Sequence, residues 1–74
     1  MEKPIQIEDD EWYYFGRIIQ KQDHPLLALY VSWDDVDSDI PTNTQEHHSF
    51  SDAKKYCKKK PCLNPSRTLA DYGH

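Results

Sequence analysis

The acidic stretch of this chain contains a spacing of carboxylates that is typical of metal ligands. Asp35, Asp37, Asp39 and Glu46 stand at the relative positions of the carboxylates in an EF-hand calcium loop. Ile40 occupies the position where the sharp turn of such a loop requires glycine. The match is to spacing alone, so a solvated acidic loop is the favoured interpretation. A divalent-metal-binding module of another geometry is an alternative.

Two histidines and two cysteines are the donors from which a zinc site could be built. Adjacent histidines on a strand point to opposite faces, so His47 and His48 cannot easily bind one ion. Cys57 lies on the apolar stripe of a predicted helix, where a free buried cysteine is common. We therefore predict no metal ligands and no cofactor, and we expect Cys57 and Cys62 to be reduced thiols in a cytosolic protein.

Charge is divided by position along the 74 residues. Residues 1–53 carry 12 acidic and 3 basic side chains, whereas residues 54–74 carry 6 basic and 1 acidic. A basic run could contact phosphates and gives an alternative function, nucleic-acid binding. The net charge of −4 and the pI near 5.4 are unusual for a nucleic-acid-binding domain, so the solvated outer face of a helix is favoured. The run consists of Lys54, Lys55, Lys58, Lys59 and Lys60.

The acidic residues form two groups, each beside a predicted strand end. If residues 12–21 and 26–33 pair as an antiparallel hairpin, Trp12 and Trp33 lie at the same end and both groups meet there. Such a surface suits a protein partner with a basic surface, with exposed aromatic side chains as apolar anchors. The predicted partner-binding residues are Asp9, Asp10, Glu11, Tyr13, Phe15, Asp34, Asp35 and Asp37.

Enzyme chemistry finds little support in the sequence. With two glycines in the whole chain there is no glycine-rich phosphate loop, and no spacing assembles a nucleophile, a base and an orienting group. We expect no catalysis. The expected function is protein–protein binding by a small acidic protein, as a regulatory or inhibitory accessory factor of the phage or mobile-element type.

The elements that must position these residues form one small α+β domain over residues 1–74. Aromatic and β-branched residues predict a strand over 12–21 and a return strand over 26–33. One or two short strands are expected around Ile5 and at 47–50. The result is a small antiparallel sheet.

Two helices are predicted after the sheet. Ser51 as N-cap, an apolar stripe and the helix-ending Pro61 indicate a helix at about 52–60. Asn64 and Pro65 favour a short C-terminal helix at about 65–72.

Apolar side chains occur on both faces of the predicted sheet. Alternation along a single strand places Trp12, Tyr14 and Ile18 on one face, with Tyr13, Arg17 and Ile19 on the other. The helices cover one face, so the second must be covered by the tail, by a homodimer partner or by another protein.

The sequence also contains no segment typical of a membrane protein. The N-terminal residues lack the pattern of a signal peptide, and the apolar stretch 26–31 is far shorter than the ~20 residues that span a bilayer. We therefore expect no membrane partner and a cytoplasmic location.

Overall fold

A computed structural model describes residues 3–23 and 29–67, and these form a five-stranded antiparallel sheet with one helix against it. Strands adjacent in sequence are adjacent in the sheet, so the strand order is β1-β2-β3-β4-β5. This arrangement confirms the predicted α+β class. The elements are β1 Ile5–Glu8, β2 Glu11–Tyr14, β3 Arg17–Gln22, β4 Leu29–Asp34, β5 Gln45–His47 and α1 Phe50–Lys59.

The predicted strand 12–21 is two strands joined by a tight turn at Phe15 and Gly16. Both turn residues have positive φ, 53° and 77° respectively. Positive φ at both central residues is the geometry of a type I′ hairpin, whose twist matches that of the flanking strands. The turn could not be predicted from the sequence, because it lies within a run of aromatic and β-branched residues and Phe15 is not a typical turn residue.

This hairpin changes which side chains share a face of the sheet. Trp12 pairs with Ile19 and Tyr14 pairs with Arg17, and residues directly opposite in antiparallel strands project to the same side. Arg17 and Ile19 therefore lie on the face of Trp12 and Tyr14. The assignment made from one uninterrupted strand was wrong, because the two-residue turn inverts the alternation after it.

Helix α1 begins where a serine caps it. Ser49, rather than the predicted Ser51, is the N-cap: its Oγ accepts a hydrogen bond from the backbone N–H of Asp52 at 3.1 Å. Asp52 also places a carboxylate in the first turn, where it suits the helix dipole. The predicted helix at about 52–60 is confirmed, with both ends within two residues of the expected positions.

Helix α1 covers the face of the sheet that carries Trp12 and Tyr14. Ala53 and Cys57 from the helix are fully buried. At the edge of this core, Phe50 packs against Trp12 with ring centroids 4.7 Å apart. Phe50 also lies 5.5 Å from the ring of Tyr30. Aromatic pairs of this kind contribute about 0.5–1.5 kcal/mol beyond the area they bury, so this trio anchors a small core.

The segment after the helix crosses the end of the sheet. The backbone N–H of Cys62 donates to the carbonyl oxygen of Phe15 at 3.1 Å, and that of Ser66 donates to Asp35 at 2.6 Å. The chain thereby passes the β2–β3 turn towards the face that α1 does not cover. Residues 65–67 are not helical, and the rest of the helix predicted at 65–72 lies outside the described residues, as do residues 26–28 of the predicted return strand.

No helix in the part of the chain that the structure describes is long and apolar enough to cross a membrane.

Substituting Gly16→Ala should destabilise the protein by about 2–4 kcal/mol, because it combines left-handed strain with a steric clash. A Cβ there would lie 2.6 Å from the carbonyl oxygen of Cys62, a backbone atom. Urea unfolding followed by circular dichroism measures the loss. The exposed loop substitution Thr44→Ala is the control, expected within about 0.5 kcal/mol of the unsubstituted protein. Equal stabilities for the two variants would contradict the close approach.

Candidate functional site

A buried arginine links the sheet to the loop before β5. Arg17 is 1% exposed and pairs in register with Asp34, so the two side chains meet on one face. Its Nη1 donates to Oδ1 of Asp34 at 2.7 Å, and Nη2 donates to Oγ of Ser32 at 3.0 Å and to the carbonyl oxygen of Asn43 at 2.7 Å. Asp34 also accepts a hydrogen bond from the side-chain amide of Asn43. This predicted partner-binding residue is thus held inside the fold.

Polar side chains extend this cluster beneath α1. Oγ of Ser32 lies 2.8 Å from Nε2 of His47, and Ser32 is fully buried. The His47 ring lies 5.3 Å from that of Tyr56, and the guanidinium carbon of Arg17 lies 5.1 Å from the centre of the same ring. A serine beside a histidine is a catalytic pairing only where a substrate can reach the hydroxyl. Here the pair joins β4 to β5 under the helix.

Burial favours the neutral form of two groups in this cluster, the imidazole of His47 and the thiol of Cys57. Burial lowers the pKa of His47, the charge of Arg17 lowers it further, and Asp52 raises it by a smaller amount. Burial raises the pKa of the Cys57 thiol, while Arg17 and Ser32 partly oppose that shift. An uncharged imidazole and an uncharged thiol therefore surround an arginine whose charge is balanced by Asp34. The cluster is built to stabilise the fold.

The opposite face of the sheet has no helix against it among the described residues. Ile18 pairs with Trp33 on this face, and both contribute to an open hollow, which we call the acidic hollow. Trp33 is half-buried. The hollow is lined by Ile7, Glu8, Glu11, Ile18, Trp33, Asp34, Asp35, Val36 and Arg67.

Negative charge dominates the acidic hollow. Glu8 and Glu11 stand directly opposite each other on β1 and β2, a like-charge arrangement that costs stability in an antiparallel pair. Glu11 accepts a hydrogen bond from the side chain of Gln20 at 2.7 Å. Asp35 is 3% exposed, and its Oδ1 lies 3.1 Å from Nη2 of Arg67. Four acidic residues, Glu8, Glu11, Asp34 and Asp35, thus line the hollow together with one basic residue, Arg67.

The two predicted acidic groups meet only through Glu11. Asp9 and Asp10 lie exposed in the β1–β2 turn, beside Lys21, whose backbone N–H donates to Asp10 at 2.8 Å. Asp34 ends β4 at the opposite end of the sheet, beside the β2–β3 turn. The expected meeting of the two complete groups was wrong because it assumed one long hairpin. The structure instead brings Glu11 into the hollow with Asp34 and Asp35.

The predicted aromatic anchors are not exposed. Tyr13 is 3% exposed, and its hydroxyl donates to the carbonyl oxygen of Arg67 at 3.2 Å. Phe15 is half-buried and packs against the core beneath α1, with its ring 4.6 Å from that of Tyr14. Asp37 is exposed in the loop after β4. Trp33, which sequence reasoning left out, is the aromatic residue that lines the hollow.

The lysine run lies on the side of the sheet that carries α1. Four of its members are exposed, and Nζ of Lys54 lies 5.5 Å from the centre of the Phe50 ring. Within residues 3–23 and 29–67, both ion pairs use arginine, and no lysine takes part in one. The lysines are therefore available to an external anion and face away from the acidic hollow. The exposed members are Lys55, Lys58, Lys59 and Lys60.

Among the described residues, the fold does not bring together a set of side chains that could bind a metal ion. No three of the described histidine, cysteine, aspartate and glutamate side chains lie together in an arrangement that could hold a metal ion. Asp35, the first member of the calcium-loop spacing, is instead buried against Arg67, and Glu46 lies in β5.

In comparisons with known proteins, no family model, no curated protein and no solved structure matches this chain.

Replacing Arg17 with methionine should cost about 3–5 kcal/mol, because it leaves the buried end of Asp34 without its cation. Denaturant unfolding followed by circular dichroism measures the change. Lys21→Met is the matched control, since Lys21 is an exposed position on the same face of β3 and should change stability by no more than about 0.5 kcal/mol. A small effect of Arg17→Met would show that the cluster contributes little.

Stability should fall with acid through His47. Its lowered pKa in the folded state means that the unfolded chain binds the proton more readily. The contribution is complete above the ordinary imidazole pKa of 6.5 and is lost as the pH falls from there through the folded-state pKa. Unfolding free energies measured across this range should lose that slope in His47→Gln. The exposed neighbour gives the control, His48→Gln, which should keep it. An unchanged slope in His47→Gln would contradict the assignment.

Proposed function

We propose that this protein is a protein-binding module, and that its acidic hollow takes a partner segment that is both basic and apolar. The observation that carries the proposal is the composition of the hollow: a mainly polar lining in which the carboxylates of Glu8 and Glu11 lie beside the partly buried side chains of Ile7 and Trp33. Apolar contact supplies affinity at such a surface, and complementary charge supplies orientation and partner choice.

The like-charged pair on β1 and β2 supports a cationic partner. Glu8 and Glu11 repel each other across the two strands in the free protein. A lysine or arginine placed between them relieves that repulsion and gains an ion pair with each. The same pair therefore costs stability in the free state and favours binding of a cation.

Docking on the face is favoured over pairing at a sheet edge. The register of β1 shifts between Gln6 and Glu8, and such a bulge interrupts the ladder that an added strand needs. Strand β5, at the other edge, has three residues. Both edges are therefore poor templates for strand addition, while the face presents carboxylates beside the partly buried side chains of Ile7 and Trp33.

Charge also argues for a partner other than a second copy on this face. Two copies joined through their acidic hollows would bring Glu8 and Glu11 of each against the same residues of the other. Like charges juxtaposed across an interface cost several kcal/mol. A homodimer through this face is accordingly the less favoured arrangement, and a regulatory or inhibitory role towards a different, basic protein is favoured.

Nucleic-acid binding through the lysine run is the second candidate function. The lysines have no ion-pair partner among the described residues and lie on the other side of the sheet from the hollow. Their separation from the carboxylates leaves a phosphate backbone free to approach one side. The overall acidity of the protein makes this the weaker candidate.

The double substitution Glu8→Gln, Glu11→Gln should weaken binding of a synthetic peptide of alternating arginine and leucine. We expect a loss of about five- to thirtyfold, since each partly exposed ion pair contributes up to about 1 kcal/mol. Trp33 is the reporter: titrations in a Trp12→Phe background at physiological salt follow its fluorescence as the peptide covers the hollow.

Asp37→Asn, Asp39→Asn is the matched control, because it removes the same charge from the exposed loop after β4. It should leave the affinity within about twofold of the unsubstituted protein. If both double variants bound the peptide equally weakly, the loss of affinity would come from net charge alone. That result would refute the hollow as the binding site. Failure to bind the peptide, combined with salt-dependent DNA binding that is lost on neutralising Lys55, Lys58 and Lys59, would establish the second candidate instead.

A further inference from the structure

The acidic hollow already receives one basic side chain, that of Arg67 from the segment after α1. We infer that Arg67 is an internal stand-in for the partner, and that an arginine of the partner segment takes its place at Asp35. This inference rests on the proposed function and names the side chain that the hollow recognises.

Asp35 has the properties of a receptor for a cation. It is 3% exposed, and a carboxylate withdrawn from water to this extent requires a positive or hydrogen-bonding partner. Its backbone N–H donates to the carbonyl oxygen of Gly16 at 2.9 Å, which holds the residue at the β2–β3 turn. The backbone position of Asp35 is therefore set by the sheet.

The side chain of Arg67 is more exposed than the carboxylate that it meets. It is 58% exposed, whereas the side chain of Asp35 is 3% exposed, so water reaches the arginine end of the pair. The backbone of its segment is anchored separately, by the Tyr13 hydroxyl to the Arg67 carbonyl and by the Ser66 N–H to the Asp35 carbonyl. The guanidinium can leave Asp35 while these backbone contacts stay in place.

An incoming arginine finds further contacts beside Asp35. Trp33 lines the same hollow, and an aromatic ring attracts a guanidinium placed over its face. Glu11 lies on β2, two strands away in the sheet, and lines the same hollow. Arginine suits such a site better than lysine, because its planar group stacks on rings and carries several donors in a fixed arrangement.

Chemical rescue tests whether Asp35 accepts an external guanidinium. The variant Arg67→Ala lacks the internal cation, so millimolar N-ethylguanidinium should raise its thermal unfolding temperature by several degrees. The same compound should leave the unsubstituted protein and Lys59→Ala unchanged. Ethylammonium, a cation of equal charge without the planar group, should not raise the unfolding temperature of any of the three. Equal responses of Arg67→Ala and Lys59→Ala would overturn the inference.

Peptide affinity tests the displacement itself. The arginine–leucine peptide should bind Arg67→Ala about two- to fivefold more tightly than the unsubstituted protein, the factor that an ion pair of this exposure supplies. Lys59→Ala, which makes the same change in net charge on the other side of the sheet, should change affinity less than Arg67→Ala does. Arg67→Gln replaces Arg67→Ala if the alanine variant does not fold.

The outcomes separate the inference from the proposed function. Peptide binding that is unchanged or weaker in Arg67→Ala refutes displacement while leaving the hollow as a binding site. Absence of peptide binding to both proteins refutes the proposed function, and the inference with it.

Discussion

The tight turn at Phe15 and Gly16 is the constraint on which the rest of the structure depends. It reverses the chain within two residues, both at positive φ, and thereby decides which side chains of β3 face α1. Arg17 and Ile19 come to lie beneath the helix, while Ile18 joins Trp33 on the other face. Because Cys62 donates to the Phe15 carbonyl, the same turn also directs the segment that carries Arg67.

Arg17 is the second organising residue, and the turn places it. Its hydrogen bonds join β3, β4 and the loop before β5, and its charge is balanced by Asp34. Domains of this size bury only about 60% of their unfolded surface, so a hydrogen-bonded polar network supplements a small apolar core. A protonated His47 or a Cys57 thiolate would add a second charge beside the Arg17–Asp34 pair. Burial beneath α1 opposes both charged forms, because it lowers the pKa of His47 and raises that of Cys57.

Acidic and basic residues are separated along the chain, and the fold also separates them on the two sides of the sheet. Lysines of α1 occupy one side of the sheet, and the carboxylates of Glu8 and Glu11 line the other. The sheet separates these two charged surfaces. The ion pair of Asp35 with Arg67 lies on the acidic side.

Local patterns predicted most of the elements. The α+β class, the helix near 52–60 with Ala53 and Cys57 on its buried stripe, and a first strand at Ile5 all follow from residue type and period. The candidate site was recovered only in part. Glu11, Asp34 and Asp35 were named and do line one hollow, whereas Glu8 and Trp33 were not. Tyr13 was expected at the surface and is buried.

The sequence by itself determined which segments favour strand or helix. It also determined that acidic and basic side chains are grouped in different parts of the chain. Those properties depend on neighbours within a few residues, and local physical chemistry is sufficient to derive them. Only the tertiary structure decided which carboxylates meet and which face Arg17 occupies. Both depend on the turn at Phe15 and Gly16. Phe15 is not a typical turn residue, and Gly16 allows positive φ without requiring it, so the turn is defined only when β2 and β3 pair.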